Sequence, residues 1–207
     1  MNFNQVAPQY RWLERLVFGR KLQEARIAFV RQIAPPRRVL VAGEGNGRFL
    51  AEFVRAHPGA EVDCVEASAR MIALARRRIQ FGHVQFICAD LREAKLQRQS
   101  YDLLVTHFFL DCFAEQGLPG VVAKLAGLAT ADAQWLIAEF CEPATGWELL
   151  RARGLIAAMY FFFRVTAGIE GRRLFDYQPL VRSAGFCLTS QRLSANGMIR
   201  SQLWQRK

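Results

Sequence analysis

Paired cysteines are missing from this 207-residue chain. Cys64, Cys88, Cys112, Cys141 and Cys187 stand singly, with no C-x-x-C and no Cys/His cluster. Disulfide scaffolds and zinc sites use tight, paired spacings, so reduced thiols packed in the interior are expected, and no metal site. Long apolar runs are also missing. The richest stretch, Gly154 to Phe163, stops at Arg164, well short of the roughly 18 uncharged residues that a membrane span needs. Met1 to Tyr10 lacks a basic segment followed by an apolar one, so no secretory leader is read and a cytoplasmic protein is expected. With 7 Pro and 15 Gly the chain is not low-complexity, and with 52% apolar residues it is not disordered. Its length suits one domain with a full core.

Lysine is scarce too: Lys21, Lys95, Lys124 and Lys207 are the only ones, and arginine supplies the rest of a net charge of +10. Such a field attracts anions, whether nucleic acid, acidic lipid or a phosphorylated small molecule. The arginines are nevertheless spread along the chain. The one tight run, Arg76-Arg77-Arg78, follows Met71, Ile72, Leu74 and Ala75 at helical spacing. It reads as a solvated helix end whose charge complements the helix dipole. Charge by itself selects no partner.

What is present is an alternation of short apolar runs and helical periodicities. Phe3 to Ile33 reads as two helices parted at Phe18-Gly19, the second stopped by Pro35-Pro36. Strands are expected at Val39–Ala42, Glu61–Glu66, Val84–Ala89, Tyr101–Thr106 and Gln134–Phe140, with helices at Arg48–His57, Ala69–Ile79 and Leu118–Ala129 between them. A long aromatic helix follows over Leu149–Thr166, then a short one over Pro179–Ala184. Phe186–Leu193 and Met198–Trp204 close the chain as a hairpin about Asn196-Gly197. The fold expected is α/β: a doubly wound, Rossmann-like, mostly parallel seven-stranded sheet with N-terminal cap helices, whose C-terminal antiparallel hairpin puts an antiparallel strand at the edge.

The first strand runs into Gly43-Glu44-Gly45-Asn46-Gly47 and then a helix. Glycines at alternate positions let the backbone turn and lie against a ligand. The spacing is not G-x-G-x-x-G, and no G-K-[ST] follows, so this is neither a standard dinucleotide loop nor a P-loop. Glu44 repels a pyrophosphate and suits a cationic or zwitterionic ligand. Glu66 ends the second strand, where a carboxylate accepts from ribose hydroxyls, and Asp90 follows the third, placed to accept from an adenine amine. All three features fall at carboxyl ends of neighbouring strands.

With these residues in place the chain resembles class I S-adenosylmethionine-dependent methyltransferases along nearly its whole length. Val39 to Gly47 is similar to their first motif, V-D-C-V-E-A-S to the ribose motif, I-C-A-D-L to the adenine motif and Y-D-L-L-V-T-H-F to the fourth. The lead-in N-F-N-Q-V-A-P-Q-Y-R-W-L-E-R-L-V-F-G is similar to that of ubiquinone/menaquinone-biosynthesis methyltransferases. The resemblance implies S-adenosylmethionine as cofactor and S-adenosylhomocysteine as product. It implies cofactor contacts at Tyr10, Gly43, Glu44, Gly45, Asn46, Gly47, Glu66, Ala67, Met71, Asp90, Leu91 and Thr106. It also implies one domain over 1–207, with a helical cap at 1–34 and a substrate-covering insertion at 143–178. The family usually has an acidic residue where Val41 stands, and Glu44 is expected to take over part of its role.

Methyl transfer from a sulfonium needs alignment, exclusion of water and, for some acceptors, loss of a proton. The fourth strand ends in Thr106-His107-Phe108-Phe109-Leu110-Asp111-Cys112-Phe113. His107 is the candidate base, with Asp111 to orient it or to bind the acceptor; the plainer readings are a structural histidine and a helix cap. Glu139, at the end of the fifth strand, faces the same crevice. Tyr160, Phe163 and Arg164 are candidates for an apolar acceptor pocket with one cation, the alternatives being a packing helix or a peripheral membrane contact.

The expected function is methylation at oxygen or carbon of a moderately apolar small molecule: a quinone-like ring, a phenol or another aromatic metabolite, by a monomer or homodimer. Nucleic-acid methylation is the first rival. Amino methylation of bases uses [DNS]-P-P-[YFW] after the fourth strand, but T-H-F-F-L-D-C-F has no proline, and Cys112 has none before it. A cofactor- or partner-binding protein on a retired methyltransferase fold is the second, motivated by Val41.

Overall fold

The computed structural model describes residues 20–142, 154, 170 and 174–207, and the fold is built from these. Seven strands form one sheet: β1 Arg38–Ala42, β2 Glu61–Glu66, β3 His83–Cys88, β4 Tyr101–His107, β5 Ala129–Phe140, β6 Phe186–Ser194 and β7 Ile199–Arg206. Their order is β3-β2-β1-β4-β5-β7-β6. β1 to β5 pair in parallel, and β7 runs antiparallel to both β5 and β6. The Rossmann-like reading holds, with one correction. The antiparallel strand β7 lies one place in from the edge, and β6 is the edge. Trp204, Leu203 and Ile199 explain why, since these apolar residues of β7 are buried while β6 carries exposed Leu193.

Helices α1 Lys21–Arg26, α2 Arg48–Ala56, α3 Ala69–Arg78, α4 Leu118–Leu128 and α5 Gln178–Ser183 flank the sheet, and a 3-10 turn covers Leu110–Cys112. One core lies between the sheet and α4 and α5, around Leu104, Trp135, Leu125 and Val181. A second lies toward α2 and the segment after α1, around Val41, Phe49, Phe53, Val105 and Leu136, and a smaller third joins Leu22, Ala25, Ala195 and Ile199. β1 is buried at its four inner positions, as a strand covered on both faces must be. Arg76, Arg77 and Arg78 form the last turn of α3, as expected.

Three boundaries depart from the sequence reading. The helical pattern to Ile33 yields a helix only to Arg26, after which Val30 and Gln32 donate to carbonyls three residues back. Phe29, Val30 and Ile33 are buried all the same, so the spacing marked the buried side and not the hydrogen bonding. β5 starts at Ala129, five residues early, because Tyr101 pairs with Ala129 before a bulge. The hairpin turn has Ala195 and Asn196 at its centre, both with positive φ, and Gly197 after them. Gly197 N–H donates to Ser194 O at 3.1 Å. The proposed cap and insertion lie largely outside the described residues. The cysteines are unpaired, and Cys88 is exposed rather than packed inside.

Candidate active site

Pairing levels the ends of five strands. Ala42 is opposite Val65 and Thr106, Glu66 is opposite Cys88, and His107 is opposite Ala138. Gly43, Glu66, Asp90, His107 and Glu139 therefore lie along one rim, at the carboxyl ends where the crevice of such a sheet forms.

The loop after β1 needs its glycines for different reasons. All three have positive φ. A Cβ on Gly43 would stand 2.3 Å from the Phe109 ring, and one on Gly47 would stand 2.7 Å from the Ala75 backbone of α3. A Cβ on Gly45 would meet nothing within 4 Å. Two of the glycines thus serve packing, and Gly45 is the one whose bare backbone faces open space.

Glu66 is 7% exposed. Its Oε2 accepts from Gly45 N–H at 3.0 Å and its Oε1 from Ser68 N–H at 2.9 Å. Burial raises its pKa, and these backbone donors hold it down in part. The carboxyl group is thereby tied to the glycine loop on one side and to the start of α3 on the other. Ser68 caps α3 by accepting from Met71 N–H. Each carboxylate oxygen keeps a further lone pair for a ligand hydroxyl. Asn46 is buried, and its Oδ1 accepts from Arg78 at 3.4 Å. Met71 and Leu91 are buried apolar neighbours of this rim.

Asp90 is engaged differently from the expectation. Its Oδ1 accepts from Arg92 N–H at 2.9 Å and from Nε at 3.1 Å, and its Oδ2 lies 2.8 Å from the same guanidinium. Those bonds hold its carboxyl below the usual range. Arg92 also reaches Glu170 at 3.0 Å, and Glu170 N–H donates to Cys112 O at 3.0 Å. No pattern in the sequence marked Arg92; its proximity to Asp90 is the signal that was available.

Glu44 turns inward. Its Oε1 accepts from Leu50 N–H at 3.1 Å, satisfying a donor in the first turn of α2, and burial pushes the carboxyl up to about 7 despite the Arg26 charge nearby. Val41 is sealed in the core facing α2. Thr106 is buried, its Oγ1 accepting from Trp135 Nε1 at 2.9 Å.

His107 is 9% exposed and packs edge-on against Phe49 with ring centroids 4.7 Å apart. The Thr106 and Arg26 backbones lie beside the ring, but among the described residues neither ring nitrogen makes a well-formed hydrogen bond. Burial, then the charge of Arg26, lowers its pKa to about 3, so the imidazole is neutral and only weakly basic. Asp111 lies on the 3-10 turn, and Cys112 Sγ points at its Oδ1 from 3.7 Å. Its partner along the rim is Glu139 rather than His107. Glu139 is 1% exposed, and its Oε1 accepts from Phe109 N–H at 3.0 Å and Leu110 N–H at 2.8 Å. These bonds hold the loop that Phe108 enters with φ of 53°. Burial, then the Asp111 charge, drives the Glu139 carboxyl well above the ordinary range. Besides Arg92, sequence reasoning missed Phe109, seated on Gly43, and Arg26, whose guanidinium lies 5.2 Å from the Phe108 ring. Tyr10, Tyr160, Phe163 and Arg164 lie outside the described residues.

A cationic nucleoside suits this rim: open space at Gly45, a pinned carboxyl group at Glu66 and further acids on either side. Gly45 and Glu66 would hold its sugar side, and that group, when bound, would supply the electrophilic methyl.

Residues 39–131 match a family described as a methyltransferase domain. The chain is similar to a demethylmenaquinone methyltransferase of Thermus thermophilus, 28% identical over 163 residues that cover 77% of this chain and 71% of the relative. It is also similar to a malonyl-[acyl-carrier protein] O-methyltransferase of Anoxybacillus flavithermus, 29% identical over 53% of this chain. The match spans only 41% of that relative's length. In fold it is similar to magnesium protoporphyrin IX methyltransferase from Synechocystis, solved with bound SAH, with a TM-score of 0.71 at 17% identity over 99% of this chain and 96% of that one. Strand order and glycine loop agree with a Rossmann-like methyltransferase fold, and the matched methyltransferase domain lies within it over residues 39–131.

Proposed function

We propose that this protein transfers a methyl group from S-adenosylmethionine to oxygen or carbon of a moderately apolar small molecule, a quinone-like, phenolic or other aromatic metabolite. The observation that carries the reading is Glu66, a buried carboxyl fastened to Gly45 and Ser68 beside the one loop glycine with open space above it. In this reading Glu66 accepts from the ribose hydroxyls, Ala67, Met71, Asp90 and Leu91 border the adenine, and the loop from Gly43 to Gly47 with Thr106 borders the methionine end. Tyr10 covers the cofactor. His107 and Asp111 sit where transfer takes place, His107 as a neutral hydrogen-bonding group in the free protein. Glu139, Tyr160, Phe163 and Arg164 belong to the acceptor side. Similarity to the Thermus demethylmenaquinone methyltransferase supports a ring acceptor.

Among the described residues no helix is long and apolar enough to cross a membrane. The reading places the protein in the cytoplasm, reaching a lipid-soluble acceptor at most from a membrane surface. Calorimetry with S-adenosylmethionine, followed by transfer of a tritiated methyl to a panel of naphthoquinols and phenols with RNA as control, tests it. Saturable binding and label in an aromatic product are expected. No heat at millimolar cofactor, or label in RNA alone, overturns it.

A further inference from the structure

Phe108, Phe109 and Phe113 follow His107 closely, and the chain sends each a different way. Phe108, with φ of 53°, packs on Phe140 with ring centroids 4.8 Å apart, and the Arg26 guanidinium lies 5.2 Å from its centre. Phe113 is buried, and the Arg92 guanidinium lies 5.5 Å from its centre. Phe109 stands between them and is half-buried. Its ring meets that of Phe113 at 79°, with centroids 5.1 Å apart. Its Cδ2 is the atom nearest to where a Cβ on Gly43 would stand, at 2.3 Å, so the ring keeps its place only because that residue is glycine. Glu139 Oε1 fixes the Phe109 N–H at 3.0 Å.

The face of an aromatic ring is negative and attracts a cation. Two of these three rings have one, an arginine in each case, while among the described residues no cation lies over Phe109. Its place says which cation it could take. The sugar side of the proposed cofactor belongs to Gly45 and Glu66, and its methionine end to the Gly43 side of the loop, where Phe109 is seated. The charged sulfur joins those two parts.

We propose that the Phe109 ring recognises the positive charge of the sulfonium, and so separates the methyl donor from its neutral thioether product. The inference rests on the methyltransferase reading and deepens it, since it gives the site a group that holds the donor more tightly than the product. Contact of a cation with an aromatic face is worth about two- to thirtyfold in affinity. The acids of the rim draw any cation through space, whereas the ring acts only at its face. Altering the charge of the face at constant shape therefore isolates it.

Calorimetry on the full chain with S-adenosylmethionine and with S-adenosylhomocysteine compares wild type, Phe109→Leu and a chain carrying difluorophenylalanine at position 109. Fluorine withdraws charge from the ring face and nearly preserves the shape, so packing on Gly43 and Phe113 is kept. Affinity for S-adenosylmethionine is expected to fall about threefold on fluorination and about tenfold in Phe109→Leu. Affinity for S-adenosylhomocysteine should stay within about twofold in all three chains. Should Phe109→Leu fail to fold, the fluorinated chain decides alone. Equal losses for the two ligands, or a fluorinated chain that binds the donor as wild type does, overturns the proposal. Wild type that binds neither ligand sinks the methyltransferase reading as well; donor binding that ignores the ring sinks this inference alone.

Discussion

Removing the Glu66 side chain separates a structural carboxyl from a ligand-holding one. Glu66→Ala leaves Gly45 N–H and Ser68 N–H without their acceptor. The Ser68 bond is buried, so its donor loses about 1–3 kcal/mol, while water can reach the half-buried Gly45 donor at smaller cost. Relief of the buried carboxyl's own desolvation offsets part of this, and a net loss of about 1–3 kcal/mol of stability follows. Cofactor affinity should fall by a similar about 1–3 kcal/mol for the lost charged hydrogen bonds, which is about 5- to 150-fold in Kd. The assay is calorimetry with S-adenosylhomocysteine at a temperature where every variant is folded, with thermal unfolding measured in parallel. Ser68→Ala is the control. It removes the cap on Met71 N–H and costs about 1 kcal/mol of stability, but it leaves the carboxyl in place, so Kd should not move. If Glu66→Ala is folded, less stable and still binds the nucleoside within twofold of wild type, Glu66 is a fastener of the loop and the sugar site lies elsewhere.

Two further outcomes follow from the glycine loop. Glu44 has its carboxyl raised from 4.5 to about 7; a carboxyl raised in the folded state contributes stability below its ordinary pKa and loses it as pH rises through the folded value. Urea unfolding between pH 5 and 8 should therefore show wild type losing up to about 3 kcal/mol relative to Glu44→Gln, whose amide oxygen still caps α2, and parallel pH curves would count against this. Gly45→Ala should cost about 1 kcal/mol in the free protein, for its positive φ alone, yet abolish nucleoside binding, because the Cβ stands in the open space. Gly47→Ala, which drives a Cβ into the α3 backbone, should unfold the protein at lower temperature whether or not ligand is present. Equal thermal shifts for the two alanine variants would refute the division of roles.

The strands were legible where the sequence packs β-branched and apolar residues into short runs, as in Val39–Ala42 and Glu61–Glu66. They were not legible where pairing alone makes the strand. Ala129–Ala133 carries no apolar signal, and Ala131 and Asp132 are exposed, but β4 draws the segment into the ladder. The row of candidate acids was legible because each follows a recognisable strand. What each acid touches was not, since that depends on rotamers and on neighbours distant in sequence. Asp90 meets Arg92, Glu44 reaches forward to α2, and Glu139 holds a loop thirty residues before it. The same reason separates His107 from Asp111. Four residues apart in sequence, they look like a coupled pair; a strand end followed by a tight turn sends His107 to Phe49 and brings Asp111 to Glu139.

The charge of the chain and the charge of its rim point opposite ways, and that contrast bears on the ligand. A net +10 spread over the surface draws anions in solution. The strand ends nevertheless gather Glu44, Glu66, Asp90, Asp111 and Glu139, and burial raises the pKa of Glu44, Glu66 and Glu139. Such a rim resists a phosphate, which would add charge to groups already reluctant to ionise. It welcomes a cation, which makes ionisation easier and is held in turn by the carboxylates it creates. The buried carboxyls thus read as a device for recognising positive charge, one that the net charge of the chain conceals.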